Sequence, residues 1–202
     1  MFLTWVRKWW WMRQGKIVIV SGLPRSGTSM MMKMLEVGGL PPLTDYLRVP
    51  DEDNPKGYYE FERVKGLDKG DVAWLPGARN KAVKVISALL KYLPDDYTYE
   101  LLFMRRKLEE VLASQRQMLV RRGHPVDQVD DEKLAALFQE HLYYVERWIR
   151  SRPNVRWLNV DYNAMLVDPF PQVRRINRFL GGWLNEHKMI DVIDPNLYRQ
   201  RR

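Results

Sequence analysis

No cysteine occurs in the 202 residues. That excludes disulfides, zinc thiolate centres and thiol nucleophiles, and it leaves the redox compartment open. Histidine is scarce as well: the three are His124, His141 and His187. Each falls on a stretch read as helix or loop, so a structural or exposed role is expected for all of them. Acidic residues are scattered along the chain, and no metal site is expected. Neither an internal repeat nor a low-complexity linker divides the sequence, whose length suits a single α/β domain with one sizeable core. Negative charge is in the minority: 25 Asp and Glu against 33 Lys and Arg leave a formal charge of +8, with a pI near 9.7. Such a balance suits anionic ligands, acidic polymers or membrane surfaces without choosing among them. Nucleic acid is not an expected partner, because the strands lack interleaved aromatics and no reading helix is recognisable.

The first 15 residues form a basic, Trp-rich segment ahead of a domain spanning residues 16–202. Met1 to Arg13 holds four of the eight tryptophans. The segment is too short and too charged to span a bilayer, and it has no small-residue cleavage site. Three readings stand: packing as an extra helix, disorder, or peripheral membrane contact through residues 1–13. The expected location is cytoplasmic, with that contact as the route to a membrane.

What the chain does have is concentrated between Lys16 and Met30. Ile17 to Val20 is a β-branched run that reads as a buried strand. It breaks at Gly22 and Pro24, and a helix opens near Gly27-Thr28-Ser29. A strand, a Gly-rich turn and a helix N-terminus make a phosphate cradle, because backbone N–H groups converge on the anion and the helix dipole favours its charge. The Walker pattern would place Lys after the last glycine, but here Thr28 follows Gly27, and the loop's only cation is Arg25. A phosphate loop without that lysine points away from ATP and GTP.

Along the rest of the chain, a methionine-rich helix is expected over Thr28–Val37, ended by Gly38-Gly39, followed by a long loop through residues 40–58. Strands are expected over Lys81–Ile86, Tyr97–Met104 and Val155–Val160, and helices over Lys107–Arg121, Asp130 to about Ser151, and Asp168 to Phe179. Near-continuous apolar strands spaced by helices imply a three-layer α/β fold with a central parallel sheet flanked by helices.

Gly22-Leu-Pro-Arg-Ser-Gly-Thr-Ser29 resembles the 5′-phosphosulfate loop of sulfotransferases that use 3′-phosphoadenosine 5′-phosphosulfate (PAPS). The Pro-Arg-Ser-Gly-Thr form is closest to the tyrosylprotein branch and to bacterial relatives; cytosolic members usually carry Lys at the position of Arg25. Phe103-Met-Arg-Arg-Lys to Ser114 resembles the family's 3′-phosphate site, with Arg106 and Ser114 eight positions apart. The stretch from Val160 to Pro169, followed by Val173 to Gly181, is similar to a late, largely structural part of the family, departing from it at Asn163-Ala164. The three matches together span about residues 16–182.

The resemblance implies a P-loop fold and PAPS as co-substrate. The backbone and hydroxyls of Ser26, Gly27, Thr28 and Ser29 would hold the 5′-phosphate, Arg106 and Ser114 the 3′-phosphate, and Arg25 the bridging oxygen as the sulfuryl group leaves. Arg116 is an additional contact candidate. The acceptor would be a hydroxyl or amine on a small molecule, carbohydrate, lipid or peptide, attacked in line with the departing group. Where many relatives have Lys-Thr-His, this chain has Lys84-Val-Ile86, which retains a cation without the histidine. The base is therefore sought among carboxylates, Glu60 first and Glu62 second, with Lys56 and Lys65 as weaker cation candidates. The family's late Gly loop over the 3′-phosphate is missing, leaving Arg199, Arg201 and Arg202 as its substitutes. Two other readings remain: a P-loop kinase, which lacks an evident strand-end Asp, and a non-catalytic module that binds nucleotides or polyanions on the same fold.

Overall fold

The computed structural model describes residues 2–49, 51, 57–121, 123 and 130–194. Helix α1 covers Phe2–Arg13, strand β1 Ile17–Gly22 and helix α2 Thr28–Gly38. A 3-10 helix, Glu62–Lys69, and the one-turn α3, Leu75–Ala78, lead to strand β2, Ala82–Lys84. A second 3-10 helix, Ser87–Tyr92, precedes β3, Tyr99–Arg105, and α4, Leu108–Arg121. The long α5, Asp131–Ser151, is followed by β4, Val155–Asp161, and by α6, Tyr162–Val167, α7, Pro169–Phe179, and α8, Glu186–Asp191.

The four strands are all parallel, in the order β2-β1-β3-β4. Alternate residues of β1 serve opposite faces, as the period of a strand requires. Val18 and Val20, with Leu102 and Met104 of β3, pack against Met31, Met34 and Leu35 of α2 and against Val173 and Ile176 of α7. Ile17 and Ile19, with Leu101 and Phe103, pack against Val145 and Ile149 of α5 and against Leu67 of the first 3-10 helix. Every residue of β1 is buried, which explains why its sequence is a continuous apolar run instead of an alternation. The methionines of α2 fill one of these layers.

The sequence-based boundaries differ mainly at the edge of the sheet. β2 contracts from the expected Lys81–Ile86 to Ala82–Lys84: β1 is the one named strand it pairs with among the described residues, and on its other side it has an isolated bridge between Ala82 and Pro42. After Val85 donates to the Val20 carbonyl at 3.0 Å, the chain turns at Ile86 into the 3-10 helix. Helices α6 and α8 were not anticipated. Asp161 and Asn185 supply their N-caps, accepting from Ala164 N–H and Lys188 N–H, and both are too short to show a helical period.

Helix α1 docks through one tryptophan. Trp11 is 4 % exposed, and its Nε1 donates to Glu100 Oε2 at 2.9 Å. Its ring lies 5.3 Å from that of Trp183. Glu100 is buried on β3 and also receives Lys16 Nζ at 3.0 Å and Arg156 at 2.9 Å, so its charge is matched where burial makes an unpaired one costly. Trp5, Trp9 and Trp10 remain exposed. Among the described residues no helix is long and apolar enough to cross a membrane.

Trp11→Ala is expected to lower the unfolding free energy by about 3–5 kcal/mol, as for a buried aromatic truncation, and Trp10→Ala to change it by about 0.5 kcal/mol or less. Chemical denaturation followed by circular dichroism measures both. Equal effects would show that α1 is not anchored through Trp11.

Candidate phosphate-binding site

Strand β1 connects to β2 on one side of it, and β3 connects to β4 on the other. The boundary between β1 and β3 is therefore a topological switch point, and the crevice at its carboxyl edge is where open parallel sheets take ligands. The loop after β1 and the turn after β3 both open there. Ser21 stands beside Phe103 and Gly22 beside Met104 in the register. A Cβ on Gly22 would lie 2.7 Å from the Met104 carbonyl oxygen, so only glycine lets the two backbones approach this closely.

The loop Leu23–Gly27 is held in an anion-receiving conformation. Arg25 has φ 69° and Gly27 φ 95°, an alternation that turns successive N–H groups toward one concavity. Gly27 is the N-cap of α2 and no side chain among the described residues caps that helix, so among those residues its first N–H groups and the positive end of its dipole are uncapped. Ser26 is 1 % exposed, and its Oγ has no hydrogen-bond partner among the described residues. An orphaned hydroxyl inside the loop and an uncapped helix start fit a phosphate oxygen. A Cβ on Gly27 would fall on the ring of Tyr162, which packs against the loop from the start of α6.

Arg25 and Arg106 tie the two halves of the crevice together. Arg25 Nε donates to Ser114 Oγ at 2.9 Å, and Arg106 donates to the Arg25 carbonyl at 3.0 Å. The left-handed backbone at Arg25 presents that carbonyl to Arg106. Arg106 itself is fixed by three groups. Its Nε donates to Glu110 Oε2 at 2.9 Å, and its guanidinium lies 4.7 Å from the centre of the Tyr162 ring. The fixing extends outward, since Asn163 Nδ2 donates to Glu110 Oε1 at 2.8 Å and Asn163 Oδ1 accepts from Lys107 N–H at 3.2 Å. The side chains of Arg106 and Glu110 are 7 % and 0 % exposed, so neither charge is solvated and each depends on the other.

A second cationic group closes the crevice on the β2 side. Lys84 Nζ donates to the Tyr58 carbonyl at 2.7 Å and to Ser29 Oγ at 3.3 Å, and lies 3.7 Å from Glu60 Oε1. Burial pushes the Lys84 pKa down to about 8; Glu60 opposes the shift, while Arg48 and Arg25 add to it. Arg48 donates to Glu60 Oε1 at 2.7 Å and stacks 3.4 Å from the centre of the Tyr58 ring.

These distances separate the candidates. Hydrogen bonds join Arg25 to Ser114 and Arg106 to Arg25; Ser26, Gly27, Thr28 and Ser29 follow Arg25 in the loop and the start of α2; and Lys84 reaches Ser29, the Tyr58 carbonyl and Glu60. Glu62 stands apart, 58 % exposed and paired with Lys65 at 2.8 Å. Arg116 pairs with Asp131 at 2.6 Å, half-exposed. His141 bonds Ser87 Oγ at 2.8 Å, and His187 is exposed on α8. Lys56, His124, Arg199, Arg201 and Arg202 lie outside the described residues. Sequence reasoning missed Arg48, Glu110 and Tyr162 and left Asn163 as a mere departure. Only Glu110 had a readable signal, its i+4 spacing from Arg106.

Neither strand beside β1 ends in an acid: β2 ends at Lys84 and β3 at Arg105. Asp161 ends β4, one strand further out, and its carboxylate caps α6. The architecture is a P-loop-type parallel α/β fold whose switch point is lined by cations where a nucleotide triphosphatase would hold a metal-binding acid. Among solved structures, 16 chains match the fold. One is a sulfotransferase domain from the curacin biosynthetic pathway, with a TM-score of 0.52 and 15 % identity, covering 89 % of this chain and 78 % of that one. The chain thus shares the sulfotransferase fold. No family model and no curated protein matches it by sequence.

Glu110→Ala would strip Arg106 and Asn163 of a buried partner, and is expected to cost about 3–5 kcal/mol of stability. Glu62→Ala, at the surface, should cost about 0.5 kcal/mol or less. Urea unfolding of the two variants provides the comparison, and a Glu110→Ala protein as stable as the parent would refute the buried network.

Proposed function

We propose that the protein is a sulfotransferase that moves a sulfuryl group from PAPS to a hydroxyl or amine of its acceptor. The observation that carries this reading is the pairing of two anion sites across one switch point, joined by the Arg25–Ser114 and Arg106–Arg25 hydrogen bonds. A single phosphate loop would suit many ligands. Two cationic half-sites, one after β1 and one after β3, suit a nucleotide phosphorylated at both ends of its ribose. The fold shared with the curacin-pathway sulfotransferase domain supports the same class.

The unpartnered Ser26 hydroxyl and the uncapped start of α2 fit a 5′-phosphate, and Arg106 with Ser114 fits a 3′-phosphate. Bound PAPS supplies the sulfuryl group and leaves as the 3′,5′-bisphosphate. The protein's part is positioning and charge. Arg25, bonded to Ser114 in the structure, is the cation assigned to the bridging oxygen, where negative charge grows. Lys84, already held on Ser29, places a second cation beside the same group. Glu60 is the acceptor's base: it sits next to Lys84, partly screened from water, with 26 % of its side chain exposed. Arg48 and Lys84 both approach its Oε1. A kinase reading fares worse because Lys84 and Arg105 stand where a magnesium-binding acid belongs.

Three measurements test the assignment. 3′-Phosphoadenosine 5′-phosphate should raise the melting temperature where ATP does not, and Arg106→Lys should weaken its binding by roughly tenfold to a hundredfold through loss of the planar fork. An equal shift with ATP would return the kinase reading. Glu60→Gln should cut labelled-sulfate transfer by about 10²–10⁴-fold with nucleotide binding intact. If the parent binds the bisphosphate but transfers to no acceptor, the fold serves as a non-catalytic binding module.

The third test is pH. Lys84 carries its charge below its pKa of about 8 and loses it above. The free enzyme's kcat/KM should therefore fall as pH rises through about 8. Lys84→Arg, charged throughout that range, should abolish this fall. A profile unchanged by the substitution would remove Lys84 from the reaction.

A further inference from the structure

Helix α1 is built inside out. At about 100° per residue, Trp5, Val6 and Trp9 point away from the buried Trp11, with Trp10 and Met12 on the flanks. The three tryptophans are 64 %, 46 % and 65 % exposed in chain order. Two of its three cations lie on the side of the domain: Arg7 donates to the Gly182 carbonyl at 3.4 Å, and Lys8 sits 5.1 Å over the Trp183 ring; the third, Arg13, lies 4.7 Å from the outward-facing Trp9 ring. No acidic residue occurs anywhere in Phe2–Arg13. A helix folded for water alone would turn its indoles inward.

Beside this helix opens a concavity of about 520 Å³, lined by Arg7, Arg174 and Arg178, with Asn177, Gly181–Gly182 and Glu186. Its one carboxylate, Glu186, is engaged by Asn177 Nδ2 at 2.7 Å. Arg174 and Arg178 are exposed, leaving a cationic hollow next to an apolar ridge.

We propose that α1 docks the protein on an anionic phospholipid surface, with Trp5, Trp9 and Trp10 seated at the headgroup level and the Arg7–Arg174–Arg178 hollow receiving a lipid phosphate. Indole rings favour the interface because they are apolar with one polar edge, and basic side chains are drawn to anionic headgroups. The charge also argues against a second copy as the occupant, since two such faces would bring arginines together. Trp11 bonds Glu100, the second residue of β3, so α1 lies at the amino end of the sheet. The phosphate loop opens at the carboxyl end, and docking leaves that crevice facing the aqueous phase. The proposal does not rest on the sulfotransfer reading, and its test contains no nucleotide.

The test is co-sedimentation of the full chain with phosphatidylcholine vesicles, with and without phosphatidylserine, across a salt series. Binding is expected on the anionic vesicles, weakening as salt rises, with a blue shift of tryptophan emission. Trp5→Ala/Trp9→Ala/Trp10→Ala and Arg174→Ala/Arg178→Ala should each reduce partitioning by roughly tenfold or more, with melting temperatures near the parent's because the altered side chains are exposed. Absence of parent binding to anionic vesicles would overturn the proposal, as would undiminished binding by the triple tryptophan variant. A parent dimer that the triple variant converts to monomer, without vesicle binding, would assign the face to self-association and also overturn it.

Discussion

Parallel pairing of β1 with β3 is the constraint on which the rest of the molecule depends. With Gly22 beside Met104, both strands end at one level, so the loop after β1 and the turn after β3 leave the sheet side by side. A slip of one residue would reverse the faces of the strand, sending Val18 and Val20 away from α2 and Ile17 and Ile19 away from α5. Two separate apolar layers therefore police the register that brings Arg25 to Ser114. The core does more than stabilise; it sets the distance between two cations.

Those cations are kept close by groups that are not themselves anion ligands. Arg25 and Arg106 would repel each other if their neighbours were neutral and dry. Instead Glu110, buried on α4, takes the charge of Arg106, Asn163 steadies Glu110, and the Tyr162 ring underlies the guanidinium while bracing Gly27. The start of α6 thereby touches both halves of the crevice. On the β2 side, Lys84 is desolvated and held by the Tyr58 carbonyl, with Glu60 as its counter-charge. Burial without full pairing leaves it close to losing its proton near neutral pH, which is how a lysine becomes sensitive to an arriving anion.

The two ends of the sheet are given different work. At the carboxyl ends of the strands, polar groups are fixed by one another and turned inward. At the amino ends, Glu100 gathers Lys16, Arg156 and Trp11 and so anchors a helix whose remaining described tryptophans are left outside. One buried carboxylate thus holds an apolar ridge against solvent, a placement that hydrophobic burial alone would not choose.

Much was legible in the residues alone. The β-branched run Ile17 to Val20, the Gly22–Gly27 turn and the apolar stretch Leu101 to Met104 announce parallel strands and a phosphate loop, because local sterics and period act over a few residues. The spacing of Arg106 and Ser114 was readable too, being carried by one strand end and one helix. What lies beyond that range was decided only in three dimensions. Glu60 and Glu62 are indistinguishable in sequence, yet one turns to Lys84 and the other to Lys65. Arg48, Tyr162 and Asn163 reach the crevice from distant parts of the chain, and Trp11 differs from Trp9 and Trp10 only by the helix face it occupies. Local sequence determines which segments are strand, turn and helix; the meeting of charges far apart in the chain is set by sheet order and register, which no short window of residues contains.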